Sequence, residues 1–341
     1  MSYPRALEDR PSAAPSARRL QAVARVAAGV VALALIAGCG RDRPKPAPPR
    51  PFLVYVAASI AQPMRAALDS FATRSGSPYE LEVASSLELV RRVTAMNGDP
   101  DVIALADPGL FASLLEPRVG TWHALFARNR IVLAYTTRSR GAAAITSSNW
   151  WTILERPGIE VGRADPATDP SGYRTLFVWQ LAARHYGIPD LPARMLRAAP
   201  ERNVRPREAD QVALLQAGEL DYIWTYENLA RSMGLRFVRL PDEIDLGEAA
   251  DSAGYAFASA RVPGARVGDT IVVRGEPILF AVSVPTRATH GRAGTNFVAY
   301  LLSPTGRRIL RGASLDALEQ PVIVGRRAPA LVVEAADARG P

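Results

Sequence analysis

Residues 52–76 read FLVYVAASIAQPMRAALDSFATRSG, and the two halves of this stretch have different periods. Phe52 to Ala58 is an unbroken apolar run of strand length, as suits a parallel strand buried on both faces. From Ile60 onward the apolar residues Ile60, Met64, Leu68 and Phe71 fall at the spacing of one helix face, and Gly76 supplies a stop. The unit then recurs. Leu81 to Ala84 reads as a second strand; Ser85-Ser86 follows, then a helix carrying Leu87, Val90, Val93 and Met96 to a stop at Asn97-Gly98. Asp101 to Ala106 is a third strand, ending at Asp107-Pro108. Strand–helix alternation at this spacing predicts an α/β fold with a parallel sheet.

Further along, a second unit of the same kind is predicted. Arg130–Thr136 reads as a strand, Asn149–Leu154 as a short helix and Ile159–Gly162 as a strand. A polar loop leads to a helix that starts at Pro170 and runs to Gly187. A helix over 208–217 and strands at 220–226, 235–240 and 277–284 follow, with a C-terminal helix opening at Thr295. No repeat of 20–50 residues is visible, which argues against a solenoid.

The bulk properties fit an ordinary globular protein: 341 residues, 48% hydrophobic and 22% charged, enough for two cores. The formal charge of +8 is spread without an Arg-rich stripe, so nucleic acid is not an expected partner. Ahead of the first strand, Arg18-Arg19 precedes the apolar run VARVAAGVVALALIAG and then Cys39, the single cysteine. That order is a basic n-region, an h-region and a lipobox, so residues 1–38 read as a lipoprotein signal peptide and Cys39 as the lipidated residue. Several acyl chains on Cys39 would hold the protein on a membrane surface. Residues 39–51, rich in proline, then form a semi-extended tether. The chain is expected to be exported and to work outside the cytoplasm.

Three loops share one physical feature: a strand ends, a small hydroxyl or acid appears, and a helix begins. They are Ser59, Ser86 and the turn Asp169-Pro170-Ser171-Gly172-Tyr173. Helix N-termini present unpaired N–H groups and the positive end of the macrodipole, so they attract oxyanions without formal charge. Capping alone also explains Asp169-Pro170. Three such sites at the carboxyl ends of strands carry more weight than any one, because ligands bind at that edge of α/β sheets. His123, His185 and His290 form no metal-spaced cluster, and neither a P-loop nor a nucleophile elbow is present. A binding protein is expected, not an enzyme, with no bound cofactor.

Several segments in order resemble one family: ARNRIVLAYT from Ala127, DPSGYR from Asp169, GELDY from Gly218 and LPDEIDL from Leu240. From about Phe52 to Pro321 the chain is similar to the molybdate/tungstate-binding proteins of ABC importers, particularly the archaeal tungstate/molybdate-binding branch. The resemblance implies a two-lobed periplasmic-binding-protein fold of type II, each lobe a mostly parallel sheet flanked by helices, with the ligand in the cleft between. It implies lobe 1 over 52–133 and 275–321, lobe 2 over 134–274, and a C-terminal tail over 322–341. The partners it implies are the oxyanion, an ABC permease and, through the permease, its ATPase, with the protein acting as a monomer. Ser59 and Ser86 stand at the family's two ligand serines, and Asp169 at an acid similar to a direct ligand of molybdenum or tungsten. The N–H groups of Ser171, Gly172 and Tyr173 would face the oxyanion. Thr225 stands where the branch carries a second metal-ligating glutamate. Either Thr225 donates a hydroxyl to a four-coordinate ligand, or Glu227, two residues on along a strand, reaches the site instead. Other ligands for the same fold are sulfate, phosphate or ferric iron, the last through Tyr222 and Tyr226; a non-transport sensor lipoprotein is a further alternative.

Overall fold

In the first lobe a six-stranded sheet has the order β13 (Asp316–Gly325), β4 (Trp122–Arg128), β12 (Leu279–Ser283), β3 (Val102–Leu105), β1 (Phe52–Ala57) and β2 (Tyr79–Ala84). The computed structural model describes residues 50–264 and 268–339. The expected leader over 1–38, Cys39 with its expected lipid, and most of the expected tether lie outside the described residues. β1 (Phe52–Ala57) is almost wholly buried and leads through a 3-10 turn at Ala58–Ile60 into α1 (Ala61–Ser75). Gly76, at φ +69°, closes α1 by donating to the Ala72 carbonyl at 2.9 Å. β2 (Tyr79–Ala84), α2 (Ser86–Ala95) and β3 (Val102–Leu105) follow. Ser85, one residue earlier than Ser86, is the cap of α2: its Oγ accepts from Glu88 N–H at 3.4 Å. β4 (Trp122–Arg128) then brings the chain to the crossing at Asn129-Arg130.

The second lobe holds a five-stranded sheet of order β7 (Val204–Arg205), β6 (Val161–Ala164), β8 (Tyr222–Tyr226), β5 (Ile131–Tyr135) and β9 (Arg236–Arg239). Its elements are β5 (Ile131–Tyr135), α3 (Trp150–Leu154), β6 (Val161–Ala164), α4 (Pro170–His185), α5 (Leu191–Ala198), β7 (Val204–Arg205), α6 (Glu208–Ala217), β8 (Tyr222–Tyr226), α7 (Glu227–Ser232) and β9 (Arg236–Arg239). The hairpin β10 (Ser259–Pro263) and β11 (Thr270–Arg274) forms a separate two-stranded sheet. The chain returns to the first sheet with β12 (Leu279–Ser283), followed by α8 (Gly291–Leu302), α9 (Pro304–Gly312), β13 (Asp316–Gly325) and α10 (Ala330–Asp337).

Each lobe has its own aromatic centre. Phe52, Phe71 and Phe297 pack with ring centroids 5.6–6.0 Å apart in the first. In the second, Trp224 lies edge-on to Trp150 at 5.1 Å and to Trp179 at 6.0 Å. Such pairs bury large apolar rings in the edge-to-face geometry their quadrupoles favour.

Three expectations need correction. Neither sheet is mostly parallel: β1 runs parallel to β2 and β3, but β12 and β13 pair antiparallel, and β5 is antiparallel to both β8 and β9. The antiparallel strands flank the points where the chain passes between lobes. The boundary expected at 133/134 falls inside β5, which belongs wholly to the second sheet, so the crossing is at Asn129-Arg130. Residues 322–341, set apart as a tail, begin inside β13; Val322 to Gly325 pair with β4, and Val332 and Ala336 of α10 are buried.

One ion-pair hub marks the crossing. The Arg130 guanidinium reaches Asp245 at 2.8 Å, Glu248 at 3.0 Å, and Glu227 and Asp242 at 3.1 Å. Beside it, Asn129 Nδ2 donates to Asn228 Oδ1 at 2.6 Å, and Asn129 N–H to the Ile278 carbonyl at 3.0 Å. Outgoing and returning chains are thereby tied together at the crossing.

Candidate interlobe ligand site

The carboxyl ends of β1, β2 and β3 face the start of α4, the start of α6 and the end of β8, and a continuous polar network joins the two sides. Ser86 Oγ accepts from Ala106 N–H at 3.0 Å. That bond uses one of the hydroxyl's two lone pairs and leaves its hydrogen to be donated. The Ala106 carbonyl accepts from Arg174 Nη1, which also donates to the Tyr226 hydroxyl at 2.7 Å. Tyr173 donates its phenolic hydrogen to Asp107 Oδ2. Both residues of this Tyr-Arg pair on α4 therefore grip the first lobe. At the rim, Arg91 Nη2 donates to the Ala167 carbonyl at 3.0 Å. Nearer the crossing, Asn228 Nδ2 donates to the Ser59 carbonyl at 2.7 Å.

On the second-lobe side two carboxylates sit together. Asp169 caps α4, with Oδ1 accepting from Ser171 N–H and Ser171 Oγ, both at 2.9 Å. Asp169 Oδ2 accepts from Glu208 N–H at 3.2 Å, so this one acid serves two helix starts. Glu208 is fully buried at the first position of α6. Its Oε1 accepts from Tyr226 N–H at 2.5 Å and from the Thr225 hydroxyl, while Oε2 is buried with no partner. Burial pushes the Asp169 carboxyl up from its ordinary value, against the pull of the Ser171 and Glu208 donors. Burial, with the neighbouring Asp169 charge behind it, pushes Glu208 up to about 8. Tyr173 is likewise held well above its usual range, by burial first and then by Asp107.

The structure brings Ser86, Asp169, Ser171, Tyr173 and Thr225 into this network, and ties Ser59 to it through Asn228. It gives several of them roles other than those expected. The N–H of Ser171 is taken by Asp169 Oδ1, and that of Gly172 by the Asp169 carbonyl at 3.0 Å, so these donors close the cap and do not face an open space. Gly172 is needed for closeness: a Cβ there would lie 2.6 Å from backbone atoms of Asp165 and Pro166. Thr225 spends its hydroxyl hydrogen on Glu208. Glu227 is turned away. It opens α7 instead of continuing β8, and its carboxylate is bound by Arg130 at 3.1 Å and by Arg231. Strand geometry, on which its reach depended, ends at Tyr226.

Asp107, Arg174, Glu208 and Asn228 escaped the sequence reading. Arg174 had a signal, since it closes the DPSGYR segment; Asp107 had another, at the end of a strand beside two ligand-type serines. Histidines stay outside the network: His123 pairs with Glu116 at 2.9 Å and His290 with Asp101 at 3.2 Å. Among the described residues no three His, Cys, Asp or Glu side chains converge to hold a metal ion. Tyr222 and Tyr226 point to different tasks, Tyr222 donating to the Arg140 carbonyl and Tyr226 accepting from Arg174. An iron-type tyrosine pair is therefore not assembled. What the geometry offers is a set of fixed donors and carboxyl groups drawn from two lobes.

Residues 52–313 match the family described as "Bacterial extracellular solute-binding protein". The chain belongs to this family. An uncharacterized solute-binding protein of Petrotoga mobilis is 36% identical over 270 residues, covering 79% of this chain and 84% of that protein. The molybdate/tungstate-binding protein WtpA of Pyrococcus abyssi is 30% identical over 268 residues, 72% of this chain and 77% of its own. Among solved structures, the sulfate-binding protein SubI of Mycobacterium tuberculosis H37Rv superposes with a TM-score of 0.55 at 16% identity, covering 84% of this chain and 90% of that one. At that identity the likeness speaks for the fold alone. It fits the two-lobed α/β architecture of this solute-binding protein. Among the described residues no helix is long and apolar enough to cross a membrane.

Proposed function

We propose that this solute-binding protein captures molybdate or tungstate between its lobes and delivers it to the permease of an ABC importer. In this reading it is an exported lipoprotein of the archaeal tungstate/molybdate-binding type, monomeric, and held at the membrane by a lipid on Cys39. The observation that carries the reading is one chain of hydrogen bonds from Ser86 on the first lobe, through Ala106, Arg174 and Tyr226, to the Glu208–Asp169 carboxyl pair on the second. Likeness to the Pyrococcus abyssi protein over 72% of this chain supports the same ligand class.

The carboxylate pair separates the candidate anions. The centre of sulfate does not add ligands, so neither Asp169 nor Glu208 could bind it through a further oxygen bond. Hexavalent molybdenum and tungsten are hard Lewis acids that accept carboxylate oxygens as additional ligands. A thermal-shift panel with molybdate, tungstate, sulfate, phosphate and ferric citrate tests the reading. A ligand at about a thousand times its Kd stabilises the native state by about 4 kcal/mol. Molybdate and tungstate are expected to raise Tm, and Ser86→Ala to weaken both by roughly 10- to 100-fold, the worth of a hydrogen bond to a charged group. A rise with sulfate alone would refute the assignment.

A further inference from the structure

We propose that the end of the first lobe remote from the cleft is a docking surface for anionic lipid headgroups, on which the tethered protein rests. The inference rests on the lipoprotein reading above.

The sheet defines that end. Ser59 and Ser86 follow β1 and β2 on the cleft side, so the opposite end is where β1 begins, at Phe52. The register carries it across the sheet: Val102 of β3 lies opposite Val54, Ser283 at the end of β12 opposite Ile103, and Gly325 at the end of β13 opposite Trp122 of β4. Two open cavities lie here, on either side of the segment 116–119. Pro117 lines one with Arg326 and Arg327, and Arg118 lines the other with Arg287. Backbone bonds join the three segments: Arg326 N–H donates to the Thr121 carbonyl at 2.7 Å, and Thr286 N–H to the Val119 carbonyl at 2.8 Å.

The charge of this surface is lopsided. Four arginines line the two cavities against two acids, and both acids are engaged: Glu116 holds His123 at 2.9 Å, and Asp99 lies 3.9 Å from Arg287. Arg118, Arg326 and Arg327 are exposed and form no ion pair among the described residues. Apolar side chains stand beside these cations in the open. Met96, which closes α2 next to the cavity wall at Asn97, is 72% exposed; Val322 and Val324, on one face of the edge strand β13, are 50% and 38% exposed. Guanidinium groups bind headgroup phosphates bidentately, while apolar side chains between them enter the boundary of the acyl region. Position selects a bilayer over a soluble anionic partner. The tether over 39–51 joins the body at this end and reaches at most roughly 45 Å. It would hold the surface at high effective concentration over the lipid, where weak contacts suffice. The family match ends at residue 313, so Val322, Val324, Arg326 and Arg327 lie outside what it covers.

The test uses the full chain, recovered from the membranes of a producing cell and reconstituted in vesicles of phosphatidylcholine with or without phosphatidylglycerol. Met96→Cys and, as a control on the second lobe, Leu196→Cys at a position 48% exposed, each carry a fluorophore. Spin-labelled phosphatidylcholine in the bilayer quenches whichever label touches it. Phosphatidylglycerol should bring strong quenching at 96 and none at 196. A basic residue near an anionic surface is worth about five-fold in binding, so Arg326→Gln with Arg327→Gln should lower the ratio of docked to undocked protein by roughly 25-fold. Both side chains are exposed, so the fold is expected to persist. No quenching at 96, equal quenching at both labels, or quenching indifferent to the two arginines would overturn the docking surface and leave the lipid anchor standing. An emission change at 96 without vesicles, with a doubled mass in light scattering, would assign the surface to a second copy and equally overturn the proposal. Wild type, with Cys39 its single cysteine, should take no thiol label and should float with the vesicles. A labelled wild type that does not float would overturn the lipoprotein reading and this inference with it.

Discussion

Arg174, on the second lobe, donates through one Nη1 atom to the Ala106 carbonyl of the first lobe and to the Tyr226 hydroxyl of its own. A single buried guanidinium therefore senses both sides of the cleft. Hinge-bending binding proteins work by such contacts: whatever favours the closed state raises the apparent affinity for ligand. Arg174→Met should leave Asp107 and the Ala106 carbonyl without their cation. Losing one partner of a buried charge pair costs about 3–5 kcal/mol. The expected outcome is a lower Tm together with a larger radius of gyration in solution scattering without ligand. An unchanged radius would mean that closure does not depend on this residue.

Asn228 makes another cross-lobe contact, donating to the Ser59 carbonyl while accepting from Asn129. Asn228→Ala should weaken tungstate binding by roughly 5- to 30-fold, equivalent to one or two buried hydrogen bonds. Calorimetry would measure this, and the circular dichroism of the lobes should stay as in wild type.

Arg130 serves four carboxylates at the crossing, one of which, Asp245, is fully buried. Removing the charge by Arg130→Gln strands that acid and should cost about 3–5 kcal/mol in urea denaturation. Asp245→Asn in the same chain should recover part of the loss, because the stranded charge is then gone. If the double variant is no more stable than the single one, the hub's stability does not come from this pair.

Gly172 should be intolerant of any side chain. Its missing Cβ lets α4 start against the backbone of Ala164 to Pro166, where an added atom would find neighbours at 2.6–2.7 Å. Backbone cannot move aside as a flexible side chain can. Gly172→Ala is expected to cost about 2–4 kcal/mol and to lower Tm by roughly 5–10 °C. A Tm equal to wild type would show that the α4 start has room to shift.

Elements governed by local signals were legible in the sequence. The helix over 208–217 was bounded correctly, because Glu208 and Asp210 mark its first turn and Gly218, at φ +84°, marks its end. Strand direction was not legible: an apolar run such as 131–135 reads the same whether its neighbours lie parallel or antiparallel. β4 and β13 went unread for a related reason. In β13 the register against β4 shifts between Ala317 and Val322, around a segment containing Pro321, so pairing and not pattern defines the strand. Within the site, Ser86 and Asp169 could be singled out by their place at strand ends. Glu208 could not, since an acid at a helix start is what the dipole alone would select. Its burial and its bond to Thr225 arise only when α6 is packed against β8.

The central claim is that the oxyanion sits between Ser86 and the Asp169–Glu208 pair. Anomalous diffraction at the tungsten edge, from crystals of the tungstate complex, measures this directly. The account predicts one strong peak in the closed cleft, within bonding distance of carboxylate oxygens of Asp169 and Glu208, with Ser86 Oγ hydrogen-bonded to an oxo group. A peak elsewhere, for instance against the arginines near the Arg130 crossing, or an empty cleft in tungstate-grown crystals, would contradict it.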